Sequence, residues 1–299
     1  MEPGAIVLEG GALRGVYTSG VLDVLMEHDL YFSAVYGVSA GALNGLSYVS
    51  RQIGRSAQIN LSYVRDPRYL GIGQLIKNHS AFNFDFMFGE LSERLVPFDY
   101  GIFFASAQKY IAVATSCRTG QAAYFQKTQL GDEIFRAAVA SSSLPFLAKP
   151  MDVGGELYYD GGISDAVPAE KALQDGHEKV IAVLTHPRGQ RKALPLPLPP
   201  EHSLALVYRR AFSQWPALQK ALLQMDDRYN KQMDRLDRLE DAGKVFVIRP
   251  QKAVNVSAVE KNTEKLKALY QEGRRDMENA LPRLKNYLAA ETGKFAGRR

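Results

Sequence analysis

The residues best equipped for chemistry are Gly37-Val38-Ser39-Ala40-Gly41, a G-x-S-x-G pentapeptide. An apolar run precedes it and a helical pattern follows, the setting in which such a pentapeptide bends sharply and presents its serine as a nucleophile. Glycine and alanine around the serine keep the turn clear of its strand and helix neighbours. The hydroxyl then projects at a helix N-terminus, where backbone N–H groups and the helix dipole favour developing negative charge. The same letters also describe a glycine-rich strand-to-helix turn with an N-capping serine. A second group, Glu9-Gly10-Gly11-Ala12-Leu13-Arg14-Gly15, follows the first apolar run. Its glycines expose N–H groups able to bind an anion. The dinucleotide fingerprint needs Gly-x-Gly, whereas Gly10 is followed two residues later by Ala12, and the Gly-Lys-Ser/Thr of a phosphate loop is absent. The remaining use is an oxyanion hole for Ser39, because two adjacent strand-to-helix turns of one parallel sheet put their loops on the same edge.

A serine hydroxyl needs a base. The histidines are His28, His79, His177, His186 and His202. His186 follows an apolar strand, the position a Ser-Asp/Glu-His order favours, but Leu184-Thr185-His186-Pro187 carries no further punctuation. The better candidate is Asp160, in Tyr158-Tyr159-Asp160-Gly161-Gly162, an acid at the end of a strand, although an ordinary Asp-Gly turn reads the same way. Asn44 and Ser141 to Ser143 could also approach the site, the serines more simply as residues that end a helix before Pro145.

These residues require strands and helices to hold them. Ala5–Leu8, Ala34–Tyr36, Tyr110–Ala114, Ala122–Phe125 and Val180–Leu184 read as strands. Helical spacing covers Gly15–His28, Ala42–Val49, Glu133–Ala140 and Ala169–Leu173. Such alternation predicts α/β layers around a mostly parallel sheet. The longest run without a charge, Leu30 to Ser50, is 21 residues, long enough to raise a membrane span. Its glycines and serines fit a buried strand, turn and helix instead. Residues 187–200 form a Pro-rich connector. Beyond it, Trp215, Leu218, Leu222, Met225, Tyr229, Met233, Leu236 and Leu239 make one apolar stripe that is expected to pack over the core. Val245–Ile248 reads as a late strand, and Ser257–Tyr270 and Arg274–Leu288 as two closing helices. The expected organisation is a core over 1–186, the connector, and a mostly helical C-terminal region over 201–299.

Taken together, residues 5–185 resemble the patatin-like phospholipase family. Four blocks stand in that family's order: Gly10–Gly15, Gly37–Gly41, Ala140-Ser141-Ser142-Ser143-Leu144-Pro145, and Asp160-Gly161-Gly162. The resemblance implies a three-layer α/β/α fold and a Ser–Asp dyad without histidine, Ser39 the nucleophile and Asp160 the proton acceptor. It implies an oxyanion hole from the N–H groups of Gly10, Gly11 and Ala12, joined by Ala40. Arg14, Gly15, Gly37, Gly41, Gly161 and Gly162 would support the site. Ala12 stands where the family usually has a third glycine; alanine keeps the N–H but restricts φ. The implied substrate is a fatty-acyl ester, such as a phospholipid or lysophospholipid. The aromatic residues between Tyr63 and Phe104 could line an acyl pocket or simply fill the core.

Composition limits the alternatives. The 299 residues are 46% hydrophobic and 23% charged, ordinary for a globular protein and unlike disordered or fibrous chains. A single cysteine, Cys117, rules out an internal disulfide and a four-thiolate zinc site. No ligand-spaced cluster of acids and histidines occurs, so no metal or other cofactor is expected. The opening Met1-Glu2-Pro3-Gly4 lacks a basic n-region, which predicts a cytoplasmic protein without a secretory signal. Residues 1–200 hold 17 Lys+Arg against 19 Asp+Glu and residues 201–299 hold 20 against 13, net charges of −2 and +7. The basic third suits peripheral contact with an anionic membrane surface or a solvated helical face. It lacks the dense Lys/Arg cluster expected for nucleic acid. Two rival functions keep the same residues: a non-catalytic lipid-binding module, and an acyltransferase that shares the acyl-enzyme.

Overall fold

In the computed structural model the described residues are 1–71, 73, 74, 76, 80–193 and 204–290. The sequence alternation becomes one eight-stranded sheet in the order β5-β6-β3-β2-β1-β7-β8, with β4 paired to β3. The strands are β1 (Glu2–Leu8), β2 (Phe32–Val38), β3 (Lys109–Ser116), β4 (Ala122–Gln126), β5 (Met151–Val153), β6 (Glu156–Asp160), β7 (Val180–Val183) and β8 (Val245–Ile248). β1, β2, β3, β7 and β8 run parallel. β4 and β6 each pair antiparallel with β3, and β5 pairs antiparallel with β6.

Strand alternation assigns the two faces. Ile6 and Leu8 of β1 join the cluster formed with α1 (Val16–Glu27), α2 (Ala40–Val49), α3 (Arg55–Tyr63) and α5 (Glu133–Ser141). Ala5 and Val7 face the opposite cluster, with α6 (Ala169–Gln174) and α9 (Met225–Asp241). Between α2 and β3 lies a cover made of α3, the short helical turn Phe84–Phe86, a π-type stretch Met87–Leu95 broken at Gly89, and α4 (Tyr100–Ala105).

The C-terminal region is built into this body. β8 pairs with β7 and extends the parallel sheet. The apolar stripe divides between α8 (Pro216–Leu223) and α9, after α7 (Leu204–Ala211). Leu218, Leu222, Tyr229, Met233 and Leu236 are all buried, so the stripe packs inward as the sequence predicts. The two closing helices predicted from the sequence are instead one, α10 (Thr263–Ala289), capped by Asn262. Gly273 does not break it: a Cβ there would lie 2.2 Å from the Tyr17 carbonyl oxygen, so this glycine lets α10 lie directly against α1. Of the Pro-rich connector, residues 187–193 lie along α9 through Arg188–Asp241 and Arg191–Asp234 ion pairs; residues 194–200 fall outside the described residues.

Candidate active site

The site is assembled on the shared edge of β3. β2 pairs with β3 up to Val38↔Val113, and β6 pairs with the next β3 residues, ending at Asp160↔Ala114. β4 already occupies β3 from Ile111 to Thr115 on its other edge. β2 and β6 therefore meet nearly head to head along one edge, one delivering Ser39 and the other Asp160. The chain reaches this point in two stretches separated by more than a hundred residues, joined by sheet register and by the end of α5.

Ser39 occupies the turn between β2 and α2 with φ +54° and ψ −125°. Such a backbone in a non-glycine residue stores about 1–3 kcal/mol and persists only where its surroundings enforce it. Here the Ser39 N–H donates to Ser141 Oγ at 2.8 Å, and the Ser39 carbonyl accepts from the N–H groups of Ala42 and Leu43 at 2.9 and 3.2 Å. Gly41 must be glycine, since a Cβ would lie 2.2 Å from the Leu8 carbonyl oxygen. Gly10 closes against the elbow: its Cβ would sit 2.8 Å from that of Ser39.

The loop after β1 thus flanks Ser39. Among the described residues, the N–H groups of Gly10, Gly11 and Ala40 donate to no acceptor. Ala12 does take the left-handed backbone, with φ +48°, although alanine pays about 1 kcal/mol or more for it. Asn44 fixes the end of the loop, its Nδ2 donating to the Gly15 carbonyl at 2.8 Å and its Oδ1 accepting from Ser19 Oγ at 2.9 Å. Arg14 has a buried Nε with no acceptor among the described residues.

Asp160 is 2% exposed. Its Oδ1 accepts from the Gly162 N–H at 2.7 Å, an Asx turn, and its backbone N–H donates to the Ser143 carbonyl at 2.8 Å. Burial raises its carboxyl from 3.8 to about 6, opposed by the Ser39 hydroxyl, the Gly162 N–H and the charge of Lys192. The Ser39 hydroxyl is within interacting range of the carboxyl but not in full hydrogen-bond geometry, and Oδ2 is left without a partner.

Sequence reasoning missed the support behind these groups. Ser141 is not merely a helix-ending serine, because it holds the elbow; Ser142 and Ser143 do bond back to their own helix, to the Ala138 and Val139 carbonyls. Behind the glycine loop, buried Glu9 accepts from the Thr185 N–H at 2.6 Å and from the Tyr229 hydroxyl at 2.8 Å. Thr185 Oγ1 in turn donates to the Gly10 carbonyl at 2.9 Å. Despite burial, the Glu9 carboxyl is held below its ordinary value, chiefly by His186 and then by Thr185 and Tyr229. A charge at the end of a buried strand was a visible signal for Glu9; nothing local in the sequence marks Tyr229 as its partner. His186 therefore sits 3.3 Å from Glu9. His177 lies edge-on to Tyr36 and His28 is exposed; His79 and His202 lie outside the described residues.

An apolar cleft opens from Ser39, Ala40 and Ala12. Phe82, Phe84, Phe88 and Phe98 line it, whereas Phe103 is in the core and Phe104 is exposed. Its wall includes buried Arg55, which donates to Ser92 Oγ at 2.8 Å and lies over the Phe98 ring. Burial lowers that guanidinium to about 10. The described residues contain no cluster of acids, histidines and cysteine able to hold a metal ion.

Comparison with known proteins adds ancestry to this geometry. The family model for patatin-like phospholipases matches residues 6–173, and one for a domain of unknown function, DUF6363, matches residues 215–289. The chain is 30% identical over 196 residues to the uncharacterized protein YjjU of Escherichia coli, which covers 62% of this chain and 53% of that one. It is 32% identical over 136 residues to mouse 1-acylglycerol-3-phosphate O-acyltransferase Pnpla3, covering 44% and 32%. With human patatin-like phospholipase domain-containing protein 2 it shares 29% identity over 170 residues, covering 54% and 33%. The matches span from about a third to about half of these relatives' length. Among solved structures, VipD from Legionella pneumophila has a similar fold, with a TM-score of 0.50 and 12% identity over 95% of this chain and 67% of that one. With its family model covering more than half of the residues, the chain belongs to the patatin-like phospholipase family.

Proposed function

We propose that the protein is a serine acyl hydrolase that cleaves fatty-acyl esters of phospholipids, lysophospholipids or related lipids through Ser39 and Asp160. The observation that carries this reading is the meeting of β2 and β6 on one edge of β3, which brings a strained serine and a buried carboxylate together. Asp160 takes the Ser39 proton as the serine oxygen attacks the ester carbonyl. The N–H groups of Gly10, Gly11, Ala12 and Ala40 meet the oxyanion; losing one such donor typically costs about 2.7–4 kcal/mol of barrier. The alcohol leaves with the proton from Asp160. Water, activated by the same carboxylate, then releases the fatty acid. No step uses a metal or other cofactor.

The apolar cleft beside Ser39 suits an acyl chain, and the family contains lipid hydrolases. Substrates of this kind sit in membranes, so the reading includes peripheral contact with an anionic bilayer; no described helix is long and apolar enough to cross one. An acyltransferase is the second reading, favoured by the activity for which the mouse relative is named. It would pass the same acyl-enzyme to a lysolipid instead of water. Ser39→Ala is expected to abolish turnover of p-nitrophenyl butyrate with the fold intact, and Asp160→Asn to be nearly as damaging. Single substitutions of the five histidines are expected to leave turnover largely in place. Retained turnover in Ser39→Ala rejects the assignment, and a histidine variant equally inactive replaces the dyad with a triad. Adding a lysophospholipid acceptor and analysing products separates transfer from hydrolysis.

A further inference from the structure

We propose that residues 144–150 and helix α7 form a docking surface that seats the cleft mouth on an anionic phospholipid bilayer. The proposal rests on the lipid-hydrolase reading for its purpose, and on separate observations for its location. Most of the apolar stripe of the C-terminal region is buried, and Trp215, Met225 and Leu239 are half-buried. The exposed apolar groups lie elsewhere. Phe146 is 53% exposed and has φ +66°, a strained backbone for a bulky residue that points to function when it is held in place. What holds it is α7 and the residue after it: the Phe146 ring stacks on Tyr208 at 6.0 Å and meets Phe212 at 5.3 Å. Next to Phe146, Leu147 is also exposed, and beside Tyr208, Val207 is 48% exposed.

This patch is continuous with the cleft. Leu144, Leu147 and Ala148 line it, and the Leu147 carbonyl accepts from the Ala81 N–H at 2.7 Å, which joins the loop to the aromatic wall. Its charge selects the partner. Lys149, Arg209 and Arg210 are exposed and form no ion pair among the described residues. Exposed apolar side chains on the same loop and helix as unpaired cations match the boundary between headgroups and acyl chains of an anionic leaflet. A bilayer seated there would place ester groups at the opening that leads to Ser39.

The test uses the full chain carrying Ser39→Ala, so that no lipid is consumed, and flotation with vesicles. The expected result is flotation with phosphatidylcholine vesicles containing phosphatidylglycerol, little with pure phosphatidylcholine, and weakening by salt. Arg209→Glu with Arg210→Glu is expected to weaken flotation about tenfold or more, since each cation near an anionic surface contributes about 1 kcal/mol. Phe146→Ser is expected to weaken it similarly. On the Ser39 background, both variants should turn over monomeric p-nitrophenyl butyrate within about twofold of the parent, because neither touches the reacting groups. Absence of flotation by the parent, or equal flotation on both vesicle types, overturns the proposal. So does an arginine variant that floats like the parent, or a folded Phe146→Ser that does; should Phe146→Ser not fold, the arginine variant decides. Since flotation is read without turnover, loss of the hydrolase reading on the soluble ester would be a separate result.

Discussion

At the residue scale the proposed chemistry depends on a carboxylate that burial makes reluctant to ionise. The Asp160 carboxyl titrates near 6 in the folded protein against 3.8 when unperturbed. A raised folded value means that ionising this group opposes folding: the penalty is absent at low pH, grows as pH rises past about 4, and is complete above about 6. Asp160→Asn removes it. The variant is therefore expected to be inactive and yet more stable than the parent at pH 8, by up to about 3 kcal/mol, with no advantage at pH 4. Thermal melts at the two pH values check this; a variant less stable than the parent at pH 8 would contradict it. The family's block order made Asp160 readable from the sequence. Its burial and its raised titration were not readable, because both come from β6 lying inside the sheet.

At the element scale the glycine loop is held from behind. Glu9 at the end of β1, Thr185 just after β7 and Tyr229 on α9 form one buried network that reaches the Gly10 carbonyl. Tyr229→Phe removes one donor from a buried carboxylate, a loss worth about 1–3 kcal/mol of stability. It also loosens the loop whose N–H groups are proposed to meet the oxyanion, so kcat is expected to fall about tenfold with KM little changed. A lowered stability with kcat unaltered would make the network merely structural. Strands and helices next to the motifs were legible in the sequence, because apolar runs and glycine turns announce them locally. The single α10 was not legible: Gly273 looks like a break in one dimension and serves as a contact with Tyr17 in three. The meeting of β2 and β6 was likewise invisible, since register on β3 is a tertiary property.

At the scale of the whole molecule, the C-terminal region is part of the working body rather than an appendage. β8 covers the edge of β7, α10 lies on α1, and α9 supplies Tyr229 to Glu9. The core over residues 1–186 alone would expose the β7 edge and the apolar surfaces of α1 and of the opposite sheet face. That fragment is expected to be insoluble or inactive, as expression with and without residues 187–299 would reveal; a soluble fragment with parental turnover would contradict it. The domain of unknown function matched over residues 215–289 thus has a structural place, where the sequence offered an amphipathic stripe, a late strand and closing helices without their packing. The central claim, an activated Ser39, is tested most directly by reaction with a fluorophosphonate followed by mass spectrometry of the peptides. One adduct is expected, on Ser39, forming at a rate that falls tenfold per pH unit below about 6 and collapses in Asp160→Asn. An unlabelled Ser39, or labelling at a rate indifferent to Asp160, would contradict the account.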